Sequence, residues 1–135
     1  MKILEVVVFL TVVALCKADY SDKQKQKLDE FTSKCIEDLD LPKDSDLGKK
    51  FKYGQLKEKD DATKKFISCS MQKLSFMNET GSILEESIIE FLADKYDRTM
   101  AMNVITKCSK LKNESMEDKA AEFYDCFFMQ KSFDI

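Results

Sequence analysis

From Ser21 to about Leu39 the apolar positions Leu28, Phe31, Cys35 and Leu39 return at intervals of three and four, the mark of one buried helical face. Ser21 is placed to cap this helix and Pro42 to end it. A short second helix is expected over residues 46–53, opened by Asp44 or Ser45 and closed by Gly54. The polar run Lys57-Glu58-Lys59-Asp60-Asp61 then reads as a surface loop leading to a cap at Asp60 or Asp61. In the third helix Phe66, Ile67, Cys69, Ser70, Met71 and Leu74 occupy more than one face, which predicts a central position. After the break at residues 78–81, Ser82 and Glu85 have the spacing of a capping box for a fourth helix carrying Ile83, Leu84, Ile88, Ile89, Phe91 and Leu92. A fifth helix is expected over residues 97–111. A sixth is expected over 115–129, again with a capping box at Ser115 and Asp118. No repeat, low-complexity tract or linker divides them. The expected fold is an all-α, compact bundle of about six helices in one domain.

Composition supports this reading. Three Gly and one Pro leave few sites for the tight turns that hairpins need. The first residues have the form of an export signal: Lys2, an apolar stretch from Val6 to Leu15, and small residues at Cys16 and Ala18. The stretch is about half the ~20 residues a membrane span requires. Cleavage after Ala18 is therefore expected, giving a leader of residues 1–18, a domain of 19–135, and a secreted protein without stable membrane insertion. Losing Lys2, Lys17 and Glu5 removes a net charge of +1, so the formal charge moves from -3 to -4. With its lysines interleaved among acids, the chain lacks the basic stripe of a nucleic-acid-binding surface. Cys16 leaves with the leader, and Cys35, Cys69, Cys108 and Cys126 remain for two disulfides, with three pairings open.

The chain has no histidine, so a Ser-His-Asp or Cys-His catalytic site and a His-based metal site are both excluded. The cysteines lie too far apart for a structural zinc cluster. No catalytic residue, metal ligand or cofactor is expected, and the carboxylates read as a solvated helical surface. The dense aromatic segment Phe123, Tyr124, Phe127, Phe128, with Phe133 beyond, reads either as ordinary core or as a cavity wall. Six methionines outside the leader suit a pocket for varied apolar shapes. Two glycosylation sequons, Asn78-Glu79-Thr80 and Asn113-Glu114-Ser115, fall in predicted turns, where they serve either glycan attachment or helix starts.

The cysteine spacing resembles that of insect odorant-binding proteins, specifically the four-cysteine "minus-C" group. Cys35 fits the family's first cysteine, Cys69 the third, Cys108 the fourth and Cys126 the sixth. Lys65 and Glu117 stand at the second and fifth. The segments Lys73-Leu74-Ser75-Phe76-Met77-Asn78-Glu79-Thr80-Gly81 and Glu122-Phe123-Tyr124-Asp125-Cys126 look like the family's helix-loop segment and its aromatic approach to the sixth cysteine. The resemblance covers essentially the whole chain after the leader.

It implies the pairings Cys35 with Cys69 and Cys108 with Cys126. It also implies that opposite charges at Lys65 and Glu117 could pair in place of the missing bridge, and that helix six is held less firmly. It implies a carrier of small apolar ligands such as odorants or pheromones, with a chemosensory receptor as a further partner. As cavity-lining residues it points to Phe51, Ile67, Met71, Phe76, Ile88, Met102, Ile105, Phe123 and Phe127, and Leu84 joins them by helical phase with Ile88. Tyr53, Tyr124 or Ser70 could add a hydrogen bond. The alternatives are a secreted helical interaction protein without a cavity, and a non-olfactory carrier in another body fluid. The nine residues after Cys126 read as a lid or as a frayed end. The oligomeric state is not indicated by the sequence.

Overall fold

The computed structural model describes residues 19–135, so the leader and its cleavage after Ala18 lie outside the described residues. Six helices follow in order: α1 Asp22–Asp38, α2 Leu47–Lys52, α3 Asp61–Lys73, α4 Glu85–Ala93, α5 Arg98–Cys108 and α6 Met116–Gln130. The helix α3 packs along α6 and against α1, α2 closes on α1, and α5 joins α4 to α6.

Local chemistry explains most of the boundaries. Ser21 Oγ accepts from the Gln24 N–H at 3.1 Å while Gln24 Oε1 accepts from the Ser21 N–H at 2.8 Å, a reciprocal cap on α1. Gln24 is buried, and its amide also donates to the Phe91 carbonyl at 2.8 Å, fastening the start of α1 to α4. The end of α1 is set before Pro42. Asp40 takes a left-handed φ of 53°, and the N–H groups of Asp40 and Leu41 turn back to the Glu37 and Ile36 carbonyls. Asp60, Asp97 and Ser115 cap α3, α5 and α6 by accepting from the N–H three residues on. The box at Ser115 is only half formed, because its hydroxyl donates to the Asp118 carboxylate and no reciprocal bond to backbone is made.

The start of α4 differs from the expected one. Ser82 does not cap it: the Ser82 N–H donates to Asn78 Oδ1, Ile83 forms an antiparallel bridge with Met77, and the Leu84 N–H donates to the Phe76 carbonyl. Residues 82–84 are thereby drawn alongside 76–78, and the helix begins only at Glu85. Likewise α5 ends at Cys108 rather than Leu111, since the Lys112 and Asn113 N–H groups are taken by the Glu122 carboxylate.

Two disulfides join Cys35 to Cys69 and Cys108 to Cys126, tying α1 to α3 and α5 to α6. Lys65 and Glu117 do not form the ion pair that the missing bridge suggested. Their neighbours do: Lys64 Nζ lies 2.9 Å from Asp118 Oδ1 and links α3 to α6 one residue away on each helix. This pair is partly exposed, so solvent screens it and it is a weak replacement for a covalent bridge. The chain end is packed down: Phe133 is buried, its ring stacked on Tyr96 at 4.8 Å and set edge-on to Phe127 at 6.1 Å.

Gly54, just after α2, has φ +69°, and a Cβ there would lie 2.6 Å from the Phe128 ring. Gly54→Ala is therefore expected to cost about 1–2 kcal/mol or more, since it adds a left-handed penalty to a steric clash. Urea denaturation measures this loss. An unchanged midpoint would show that the ring yields freely.

Candidate functional site

Between the helices lies a partly open apolar cavity of about 50 Å³. Leu28 of α1, Phe51 of α2, Met71 of α3 and Phe76 in the following turn form one part of its wall. Ile88, Phe91 and Leu92 of α4 form another, and Phe123, Tyr124, Phe127 and Phe128 of α6 close it, with Tyr20 contributing from just before α1. Aromatic rings meet around the void at tilted and edge-on angles, with Phe51 to Tyr124 centroids at 5.4 Å and Phe76 to Phe91 at 5.1 Å.

The wall presents no free hydrogen-bond donor. Tyr20 Oη donates to the Lys52 carbonyl at 2.7 Å, and Tyr124 Oη faces the Lys50 and Phe51 carbonyls at 3.1 Å each. Both hydroxyls are thus taken up by carbonyls in the last turn of the short helix α2, those of Lys50 and Phe51 also accepting backbone N–H groups from Gln55 and Gly54, and only the ring faces are left for the cavity. Burial pushes both phenols well above the usual tyrosine range, so they remain protonated donors at physiological pH. Tyr53 donates to Asp19, and Ser70 is fully buried away from the cavity with its hydroxyl unpartnered.

Six of the expected lining residues come together here: Phe51, Met71, Phe76, Ile88, Phe123 and Phe127. The other four lie elsewhere. Ile67 and Ile105 are fully buried against neighbouring side chains as solid core. Met102 is 44 % exposed on the outer face of α5. Leu84 precedes α4 in a non-helical conformation with ψ 80°, so the helical phase that tied it to Ile88 does not apply. Reasoning from sequence missed Tyr20, Leu28, Phe91 and Leu92 as wall residues, while Tyr124 and Phe128 belong to the aromatic segment that reads as either core or cavity wall. Leu28 was visible as part of the buried face of α1, and Phe91 and Leu92 follow Ile88 at three and four residues.

The size of the void matters. An apolar cavity of about 150 Å³ is what benzene occupies in a protein core. The void between these helices is smaller than that, so a guest larger than a few atoms fits only if the wall spreads. Phe91 and Phe128 are only half-buried and are the least covered rings of the wall.

Residues 17–130 match the PBP/GOBP family. The chain belongs to that family. It is similar to odorant-binding protein 22 of Aedes aegypti, 26% identical over 104 residues covering 75% of this chain and 73% of the relative. General odorant-binding protein 56a of Drosophila melanogaster is 24% identical over 119 residues, covering 88% and 84%. Among solved structures it shares its fold with the fatty acid binding protein OBP56a from the oral disk of the blowfly Phormia regina. The TM-score is 0.65 at 18% identity, covering 81% of this chain and 92% of that one. As a PBP/GOBP member the chain belongs with binding proteins of insects, and its two disulfides fit the four-cysteine pattern. Among the described residues, no helix is long and apolar enough to cross a membrane.

Within this PBP/GOBP fold the titratable groups favour constancy near neutrality. Burial alone would raise Asp19 and Glu122, but hydrogen bonds outweigh it and both fall below the usual carboxylate value. Lys25, the Tyr20 N–H and Tyr53 bind Asp19, and the Asn113 and Lys112 N–H groups bind Glu122. Asp60 and Asp118 are lowered by bonds from Thr63 and Lys64. The unfolded chain therefore takes up protons first on acidification. The stability these groups contribute is full above the ordinary carboxyl range near 4 and is lost as pH falls through their lower folded values. The buried phenols act in the opposite direction, and their contribution fades above about pH 10. Thermal unfolding is expected to give a flat profile between about pH 6 and 8 and a fall below about 4. A transition near pH 6.5 would contradict this account.

Proposed function

We propose that the protein is a secreted carrier that reversibly holds small hydrophobic molecules, such as odorants, pheromones or fatty acids, in the cavity between α1, α3, α4 and α6. The observation that carries this reading is a wall of aromatic and aliphatic side chains whose only two hydroxyl groups are already used by the protein itself. Such a wall rewards loss of apolar surface from water, at about 25 cal/mol per Å², and gives little to a polar guest. Membership of the PBP/GOBP family, relatives named as odorant-binding proteins and a fold shared with a fatty acid binding protein support the same reading. The sequence of residues 1–18 supports export.

On this reading selectivity comes from shape and length, because no wall donor is available to choose among head groups. The polar end of an amphipathic guest is expected to stay near the cavity mouth, in water. Phe133 braces Phe127 from outside, so the chain end stiffens one side of the cavity.

Titration of the oxidised protein with an apolar fluorescent probe, followed by displacement with alcohols, esters, terpenes and fatty acids, tests the proposal. Saturation at one site and competitive displacement are expected. No binding by correctly disulfide-bonded protein would favour a helical interaction protein instead, in which the small void is a packing defect.

A further inference from the structure

The two glycosylation sequons differ in what each asparagine amide is doing. In the turn between α3 and α4, Asn78 Oδ1 accepts from the Thr80 N–H at 3.0 Å, the Thr80 hydroxyl at 2.8 Å and the Ser82 N–H at 2.9 Å. Two of these are backbone donors, so the atom facing them is the oxygen, and Nδ2 points the other way. That nitrogen makes no hydrogen bond to the described residues and is not among the buried polar atoms without a partner, so water reaches it. Beside it lies an open surface depression of about 580 Å³, bordered by Gln72, Lys73, Met77, Glu79 and Thr80, with room for a sugar ring.

Asn113 is placed differently. Its Nδ2 donates to Glu122 Oε1 at 2.8 Å, and the same carboxylate accepts from the Lys112 and Asn113 N–H groups at 3.0 Å. The sequon's hydroxyl is engaged outside the sequon, since Ser115 caps α6 and donates to Asp118, whereas the Thr80 hydroxyl bonds Asn78 itself. A sugar on Asn113 would have to swing its amide away from Glu122, whereas a sugar on Asn78 displaces nothing.

We propose that Asn78 is an N-glycosylation site of the protein and that Asn113 is left unmodified. The proposal rests on the reading that the chain enters the secretory route. In the transfer, the Asn78 amide nitrogen forms a bond to the anomeric carbon of an oligosaccharide carried on a polyprenyl diphosphate. The bond from that carbon to the diphosphate oxygen breaks, the polyprenyl diphosphate leaves with the electron pair, and one amide proton passes to the transferase.

The test is expression of the full chain in insect cells and intact mass measurement of the exported protein, before and after peptide:N-glycosidase. One N-glycan is expected, removed by the enzyme. It should be absent from Asn78→Gln and from Thr80→Ala, which keeps the asparagine and its backbone bonds, and retained in Asn113→Gln and Ser115→Ala. Exported protein with no glycan, or a glycan that survives Asn78→Gln, overturns the proposal. If the chain is not exported, residues 1–18 are exchanged for the leader of a known secreted protein. A glycan on Asn78 then upholds this inference while the export reading fails, and an exported but unmodified chain overturns it.

Discussion

Replacing Cys35 and Cys69 together by alanine is expected to lower stability by about 4 kcal/mol, since the bridge closes a loop 34 residues long and the entropy returned to the unfolded chain grows with loop length. The Cys108–Cys126 bridge, with a separation of 18, should matter less, at about 3 kcal/mol. Against a total of about 5–15 kcal/mol for a domain, the first loss is large enough to threaten folding at 37 °C. It also reaches the cavity. Leu28 lies two turns before Cys35 on α1 and Met71 two residues after Cys69 on α3, so the bridge sets the spacing of two walls. Urea denaturation of the double variant measures the first effect and probe titration the second. A loss under about 1 kcal/mol with unchanged binding would show that packing alone holds α1 on α3.

Filling the cavity from the α1 side should nearly abolish uptake. Leu28→Trp places a larger ring into a void of about 50 Å³ among side chains that are already close-packed. The overpacked core is expected to lose about 1–3 kcal/mol. Probe affinity should fall at least about tenfold, which corresponds to about 1.4 kcal/mol. Met129 is 77 % exposed, so Met129→Phe adds a ring of similar character outside the core and should leave affinity unchanged. Equal binding by both variants would place the ligand elsewhere.

The parts of the fold that were legible in the sequence are those decided locally. Ser21, Asp60 and Ser115 each bond an N–H three residues on, so the residue type and its position were sufficient signal. Ser82 had the same local signal but was outcompeted by the Asn78 side chain and the Met77 and Phe76 backbone, an arrangement that spans two turns of chain. The replacement for the missing bridge was likewise off by one residue, because ion pairing depends on how α3 and α6 are rotated and spacing does not reveal that rotation.

The cavity was partly legible for a related reason. Ile67 and Ile105 are buried apolar residues on helices, as Met71 and Ile88 are, and sequence does not distinguish a side chain facing a void from one facing a neighbour. For Met102 a signal existed: Ala101, Val104, Ile105 and Cys108 define the buried face of α5, and Met102 falls outside that phase. Tyr20 was beyond reach. It precedes α1 and is turned into the wall by a hydrogen bond to a carbonyl 32 residues away.

The most direct test of the central claim is a methyl NMR titration of the oxidised protein with a fatty acid or a volatile alcohol. Saturable shifts are predicted for Met71, Ile88 and Leu28, with Met102, Met129 and Ile105 little changed. Shifts confined to Met102 or Met129, or none at any cavity methyl under conditions where binding is measured, would contradict the account.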